Sequence, residues 1–143
     1  MKKFEVRYID DGTIVFNGQY LHPIEHEGSR LVFVSENYVV KCDNWTLDGK
    51  RNYWKQCWRE WQHYHKFKNT KYKNNFVPVL QSGKINNHWY VVQPKVKIAN
   101  DNEYTNEISK RAIEISREFN LCDVYGYNYT VFNGDILIYD YAY

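Results

Sequence analysis

Asp123, Asn128 and Asp140 are the residues of this 143-residue chain whose types and spacing could do chemistry. Asp123 and Asn128 stand five apart in a glycine-containing run, DVYGYN. Asp140 follows Asn133-Gly134, a dipeptide that favours a two-residue hairpin loop between the runs Asn128 to Phe132 and Ile136 to Asp140. A hairpin brings its two ends together, so Asn128 and Asp140 should lie side by side with Asp123 just ahead of them. One amide and two carboxylates converging at a loop mouth form an oxygen-rich site suited to a hard cation such as Mg2+.

The elements that must position these residues read as α+β: sheet, helix, sheet, linker, helix and hairpin. Short runs from Phe4 to Ile9, Thr13 to Phe16, Gln19 to Ile24, Arg30 to Val34 and Tyr38 to Asp43 predict antiparallel strands, with turns at Asp11-Gly12, Asn17-Gly18 and Glu27-Gly28. After Asp48-Gly49 the period changes. Trp54, Trp58, Trp61 and His65 fall at helical spacing and predict a helix from Arg51 to Lys68 with its tryptophan stripe facing the core. A second strand pair, Phe76 to Leu80 and Trp89 to Gln93, is expected to join through Ser82-Gly83 and Asn86-Asn87. A polar linker from Ala99 to Tyr104 leads to a helix that starts near Thr105, buries Ile108, Ala112, Ile115 and Phe119, and ends near Asn120.

With these elements in place, the tail DVYGYNYTVFNGDILIYDY resembles the catalytic-loop and metal-binding run of the protein-kinase-like superfamily, in particular its small bacterial and phage-type members. Tyr38-Val39-Val40-Lys41 resembles that family's strand-three lysine, and Glu60, 19 residues on, its helix-C glutamate. Glu27-Gly28-Ser29-Arg30-Leu31-Val32-Phe33 resembles a shortened phosphate-covering loop, and Trp89 to Pro94 the strand that runs into the hinge. The resemblance implies ATP and Mg2+ as cofactors. It implies that Lys41 orients phosphate, Glu60 orients Lys41, Asp123 is the base, Asn128 and Asp140 hold Mg2+, and Gly28, Ser29 and Gln93 surround the nucleotide. The implied fold is a minimal kinase-like domain over residues 1–143. Residues 1–94 would form an N-lobe-like antiparallel sheet with helix C, and residues 95–143 a reduced C-lobe of one helix and the catalytic-loop hairpin.

Leu121-Cys122 stand where many members of that family have His-Arg, and Ala142 where the metal-binding motif has Gly. The chain stops three residues after Asp140, short of an activation segment and helical lobe. The expected partners are therefore a nucleotide and a protein, or a second copy, that completes the lobe. Taken singly, Lys41 reads as an exposed strand lysine, Glu60 as a solvated glutamate, and Asp123 and Asn128 as turn residues. Taken together they favour phosphate transfer to a hydroxyl acceptor. A pseudokinase-like interaction or inhibitor module, which docks on a partner without catalysis, is the alternative.

Composition narrows the classes further. A net charge of +2, 43% hydrophobic residues, and 5 Trp, 14 Tyr and 7 Phe describe a globular domain and exclude a disordered chain. No segment approaches the roughly 18 apolar residues of a membrane helix, and MKKFEVRYIDDG contains no secretory apolar stretch. Cys42, Cys57 and Cys122, odd in number and without CxxC spacing, read as free thiols of a cytoplasmic protein. His63 and His65 lie two apart on a helix, so they cannot chelate one metal. The four lysines of KFKNTKYK, Lys66 to Lys73, read as a solvated helix end and loop, so nucleic acid is not the expected partner.

Overall fold

The computed structural model describes residues 3–10, 12–24, 30–45, 55–121 and 128–141. Strands β1 (Val6–Asp10), β2 (Thr13–Phe16) and β3 (Gln19–Leu21) form a three-stranded antiparallel sheet. Strands β4 (Arg30–Val34), β5 (Tyr38–Asp43), β6 (Gln81–Ile85) and β7 (His88–Pro94) form a second antiparallel sheet in the order β4-β5-β7-β6. Helix α1 (Gln56–Phe67) packs on β5, β7 and β6, and α2 (Asn106–Glu118) packs on the hairpin of β8 (Tyr129–Phe132) and β9 (Asp135–Ile138). The arrangement is α+β, as the element order leads one to expect.

Besides a small cluster of Cys57, Val79 and Val91 at α1, two larger apolar clusters hold these layers. Phe4, just before β1, and Ile14 and Phe16 of β2 pack against Phe33, Val40, Cys42 and Val92 of the second sheet. Gln81 joins the two sheets, its side chain accepting from Phe4 N and donating to Phe4 O, both at 2.9 Å. The other cluster joins Phe67 at the end of α1 to Ile108, Ala112 and Ile115 of α2 and to Ile136, Ile138 and Tyr141. Helix α2 begins as its sequence predicts, with Thr105 Oγ1 accepting from Ile108 N at 3.3 Å. It stops at Asn120, whose φ of 54° leaves the helical region. The β8–β9 loop is Asn133-Gly134, with φ of 52° and 76°, the two left-handed positions of a tight hairpin.

Three expectations are corrected. Strand β3 ends at Leu21 instead of Ile24, because Pro23 has no N–H to give a ladder. The strand expected at Phe76 to Leu80 lies further on, at Gln81–Ile85, because Asn86 and Asn87, with φ of 46° and 64°, supply the whole turn. Gly83 is thereby absorbed into the strand, where a Cβ would stand 2.8 Å from Cε2 of Tyr90. Phe76 and Val77 turn instead to the hairpin: Phe76 forms a parallel bridge with Ile138, and Val77 N donates to Ile138 O at 2.9 Å.

The face of α1 is the third correction. Its buried residues are Cys57, Glu60 and Phe67, while Trp58 is 36% exposed and Trp61 is half-buried. Trp54 lies outside the described residues. The helix is turned so that Glu60 meets the cations of the sheet below it, and the tryptophans ride at the margin.

Lys55, the residue before α1, gives no side-chain cap, and a carboxylate from the adjacent strand takes that role. Asp43, the last residue of β5, accepts from Lys55 N at 2.6 Å and Cys57 N at 3.0 Å. Burial raises the Asp43 carboxyl above its ordinary value, and the two N–H bonds oppose that rise. Replacing a capping carboxylate by alanine costs about 1–2 kcal/mol. Asp43→Ala is therefore expected to lower the unfolding free energy from urea titration by about that amount, with an unchanged value showing that α1 starts without this cap.

Candidate functional site

Strand periodicity places the site on one face of the second sheet. Arg30 pairs with Asp43, Val32 with Lys41 and Val34 with Val39 across β4 and β5, while Lys41 pairs with Val91 and Val39 with Gln93 across β5 and β7. Side chains alternate along each strand, so Arg30, Val32, Val34, Val39, Lys41, Asp43 and Gln93 share the face that looks away from the first sheet. The charged residues collect at one end of that face and the valines at the other. β5 is an inner strand with neighbours on both sides, so Lys41 is 9% exposed, which corrects the exposed-edge reading.

Glu60 descends onto the charged end from α1 and is fully buried, which corrects its reading as a solvated glutamate. Its Oε1 accepts from Arg30 at 2.8 Å and from Lys41 Nζ at 3.2 Å. Its Oε2 accepts from Tyr141 N at 2.9 Å. Burial alone would push the Glu60 carboxyl up, but Arg30, Lys41 and the Tyr141 N–H outweigh it and hold the group at about 2. Arg30, also buried, is held well above its ordinary value; Glu60 and Asp140 outweigh the opposing desolvation. Cys57 and Cys42 are free and buried, and burial pushes both thiols up, which makes them neutral packing residues.

The segment after β9 closes the site, each of its three residues meeting one of these groups. Tyr139 O accepts from Lys41 Nζ at 2.6 Å, Asp140 Oδ1 accepts from the Arg30 guanidinium at 2.5 Å, and Tyr141 N reaches Glu60. Tyr141 is itself anchored, donating its hydroxyl to Val77 O and stacking edge-on against Phe76. Tyr139 N donates to Asn128 O at 3.0 Å, so Asn128 and Asp140 lie together at the open end of the hairpin, as its turn predicts.

Between the sheet face and this segment is a cavity of about 740 Å³, within the range of small-molecule sites. Val32, Val34, Val39, Val77 and Ile98 supply apolar wall, and Arg30, Lys41, Gln93, Tyr139 and Asp140 supply polar groups. Gln93 is 2% exposed. The structure thus brings together Lys41, Glu60, Gln93 and Asp140 of the residues singled out in the sequence, and Asn128 meets this segment through its backbone O. Gly28, Ser29 and Asp123 lie outside the described residues.

Two residues that act here, Arg30 and Asp43, carry no role in the motif reading. Their signal is the alternation in RLVFV and YVVKCD, which sets Arg30, Lys41 and Asp43 on one face of otherwise apolar strands. Of the donors assigned to Mg2+, Asp140 has its Oδ1 engaged by the guanidinium of Arg30. Among the described residues no three His, Cys, Asp or Glu side chains gather as a metal-binding group. No helix of the described residues is long and apolar enough to cross a membrane. No protein-family model and no curated protein matches the chain.

The depressed Glu60 carboxyl has a consequence for acid stability. A group whose carboxyl value falls on folding binds fewer protons folded than unfolded, so its contribution is present above the ordinary value and lost as pH falls. The window runs from 4.5 down to about 2. Over that interval the Glu60 contribution is expected to fall away. Urea titrations across this range should show stability falling with pH in the wild type and a flatter dependence in Glu60→Gln; equal slopes would show that Glu60 titrates alike in both states.

Proposed function

We propose that this chain is a kinase-like nucleotide-binding protein that takes ATP in the cavity beneath the second sheet and passes its terminal phosphate to a hydroxyl acceptor. The observation that carries the reading is one cavity holding two unlike ends. The valine-lined end suits a flat, apolar base, and Lys41, fixed by Glu60 and by Tyr139 O, offers a positioned charge to a polyphosphate. The β4-β5-β7-β6 order, the helix that presents Glu60 to Lys41, and the hairpin that presents Asp140 support the same reading, since the family resemblance of the sequence asks for these neighbours.

The transfer step falls to the chain's own groups as follows. Lys41 orients phosphate, and Asp123, the residue that the resemblance makes the base, accepts the proton of the acceptor hydroxyl as its oxygen bonds to the terminal phosphorus and the bond from that phosphorus to the bridging oxygen breaks, releasing ADP. The second reading, a pseudokinase-like module that binds a partner without catalysis, is favoured by a specific observation: Asp140 is ion-paired to Arg30.

Thermal unfolding with ATP tests the binding. At about 100 times the dissociation constant ATP should add about 2.7 kcal/mol, or roughly 5 °C and more for a domain of this size. Lys41→Ala should weaken binding about tenfold through loss of a charge-assisted contact. No shift in the wild type would sink the reading. Formation of ADP and a phosphorylated acceptor, abolished in Asp123→Asn, would separate transfer from binding alone.

A further inference from the structure

The Arg30–Asp140 pair bears on how this cavity handles nucleotide charge. Arg30 enters from β4, and Asp140 from the segment after β9, 110 residues further along the chain. Their contact is the direct link between the sheet and the carboxylate at the cavity mouth. The guanidinium has two jobs at once: one nitrogen is on Glu60 Oε1 at 2.8 Å and the other is on Asp140 Oδ1. Arg30 is 7% exposed, so this placement is fixed by packing and by Glu60, whereas the Asp140 side chain is 36% exposed and faces the cavity.

A polyphosphate entering the cavity brings negative charge toward a carboxylate, and the repulsion needs a cation between them. In this chain that cation is covalently part of the protein. A guanidinium carries a permanent charge and several N–H donors in a rigid fork, so it can serve a carboxylate and a phosphate together. Lys41 stands on the same side of Glu60 and adds a second positive charge, so the anion meets two fixed cations around one buried carboxylate.

We propose that Arg30 fills the cation position at Asp140, so that nucleotide binds this cavity without a divalent metal ion. The inference rests on the nucleotide reading given above, and it holds whether or not phosphate is transferred. It assigns Arg30 as a phosphate-binding residue.

The test is calorimetric titration of the wild-type chain with ATP, once in excess EDTA and once in millimolar MgCl2. The expected result is a pair of dissociation constants that agree within about threefold. A larger gain in MgCl2 overturns the inference and leaves the nucleotide reading intact. No binding in either buffer overturns both. Arg30→Gln, checked for folding by its thermal melt, is expected to lose about tenfold in affinity in EDTA and to recover affinity when MgCl2 is added, because Asp140 is then open to the ion. Wild-type affinity in EDTA for the folded variant would remove Arg30 from the site. The wild-type comparison decides the question by itself should the variant fail to fold.

Discussion

A single buried carboxylate organises this molecule. Glu60 has no exposure to solvent, and an unpaired carboxylate in such a place would cost several kcal/mol, a large share of a domain's net stability, or would take up a proton. It is tolerable because Arg30, Lys41 and the Tyr141 N–H surround it. Those three partners come from β4, β5 and the segment after β9, so satisfying one side chain draws α1, the second sheet and the end of the hairpin to one point. Removing one member of such a cluster leaves its partners charged and buried, which makes the cluster a constraint on the fold more than a source of stability.

The remaining structure serves this point. The second sheet has an apolar face, carrying Phe33, Val40 and Cys42, that is covered by the first sheet, and an opposite face on which charges and valines are segregated. Asp43 starts α1 directly above the charged end, and the helix phase that follows is the one that aims Glu60 inward and leaves Trp58 at the margin. On the other side, Tyr141 is wedged among Phe67 and Phe76 and tied to Val77, which fixes the backbone of Tyr139 and Asp140 against the sheet. The cavity is the space between the valine face and this segment, with Gln56 and Arg59 of α1 also on its wall.

Much of the local structure was legible in the chain. Strands β2, β4 and β5 and the β8–β9 turn follow from short apolar runs between Gly and Asn signals, and α2 follows from its spacing and its Thr105 cap. Where Asn86-Asn87 competed with Ser82-Gly83 for one turn, local chemistry was ambiguous, and the pairing of Gln81 with Val92 decided it. In α1 the tryptophan spacing pointed to one face, whereas the residues buried are Cys57, Glu60 and Phe67. Electrostatics chose, because Arg30 and Lys41 lay beneath.

By itself the sequence determined the α+β class, the order of the elements and the placing of Asn128 beside Asp140, since each depends on turns and periods within a few residues. The tertiary structure alone decided that Lys41 is buried, that Glu60 is its partner in an ion cluster and that Arg30 reaches Asp140. These contacts join residues 19 to 110 positions apart, and their energies exist only once water has been excluded from the place where they meet.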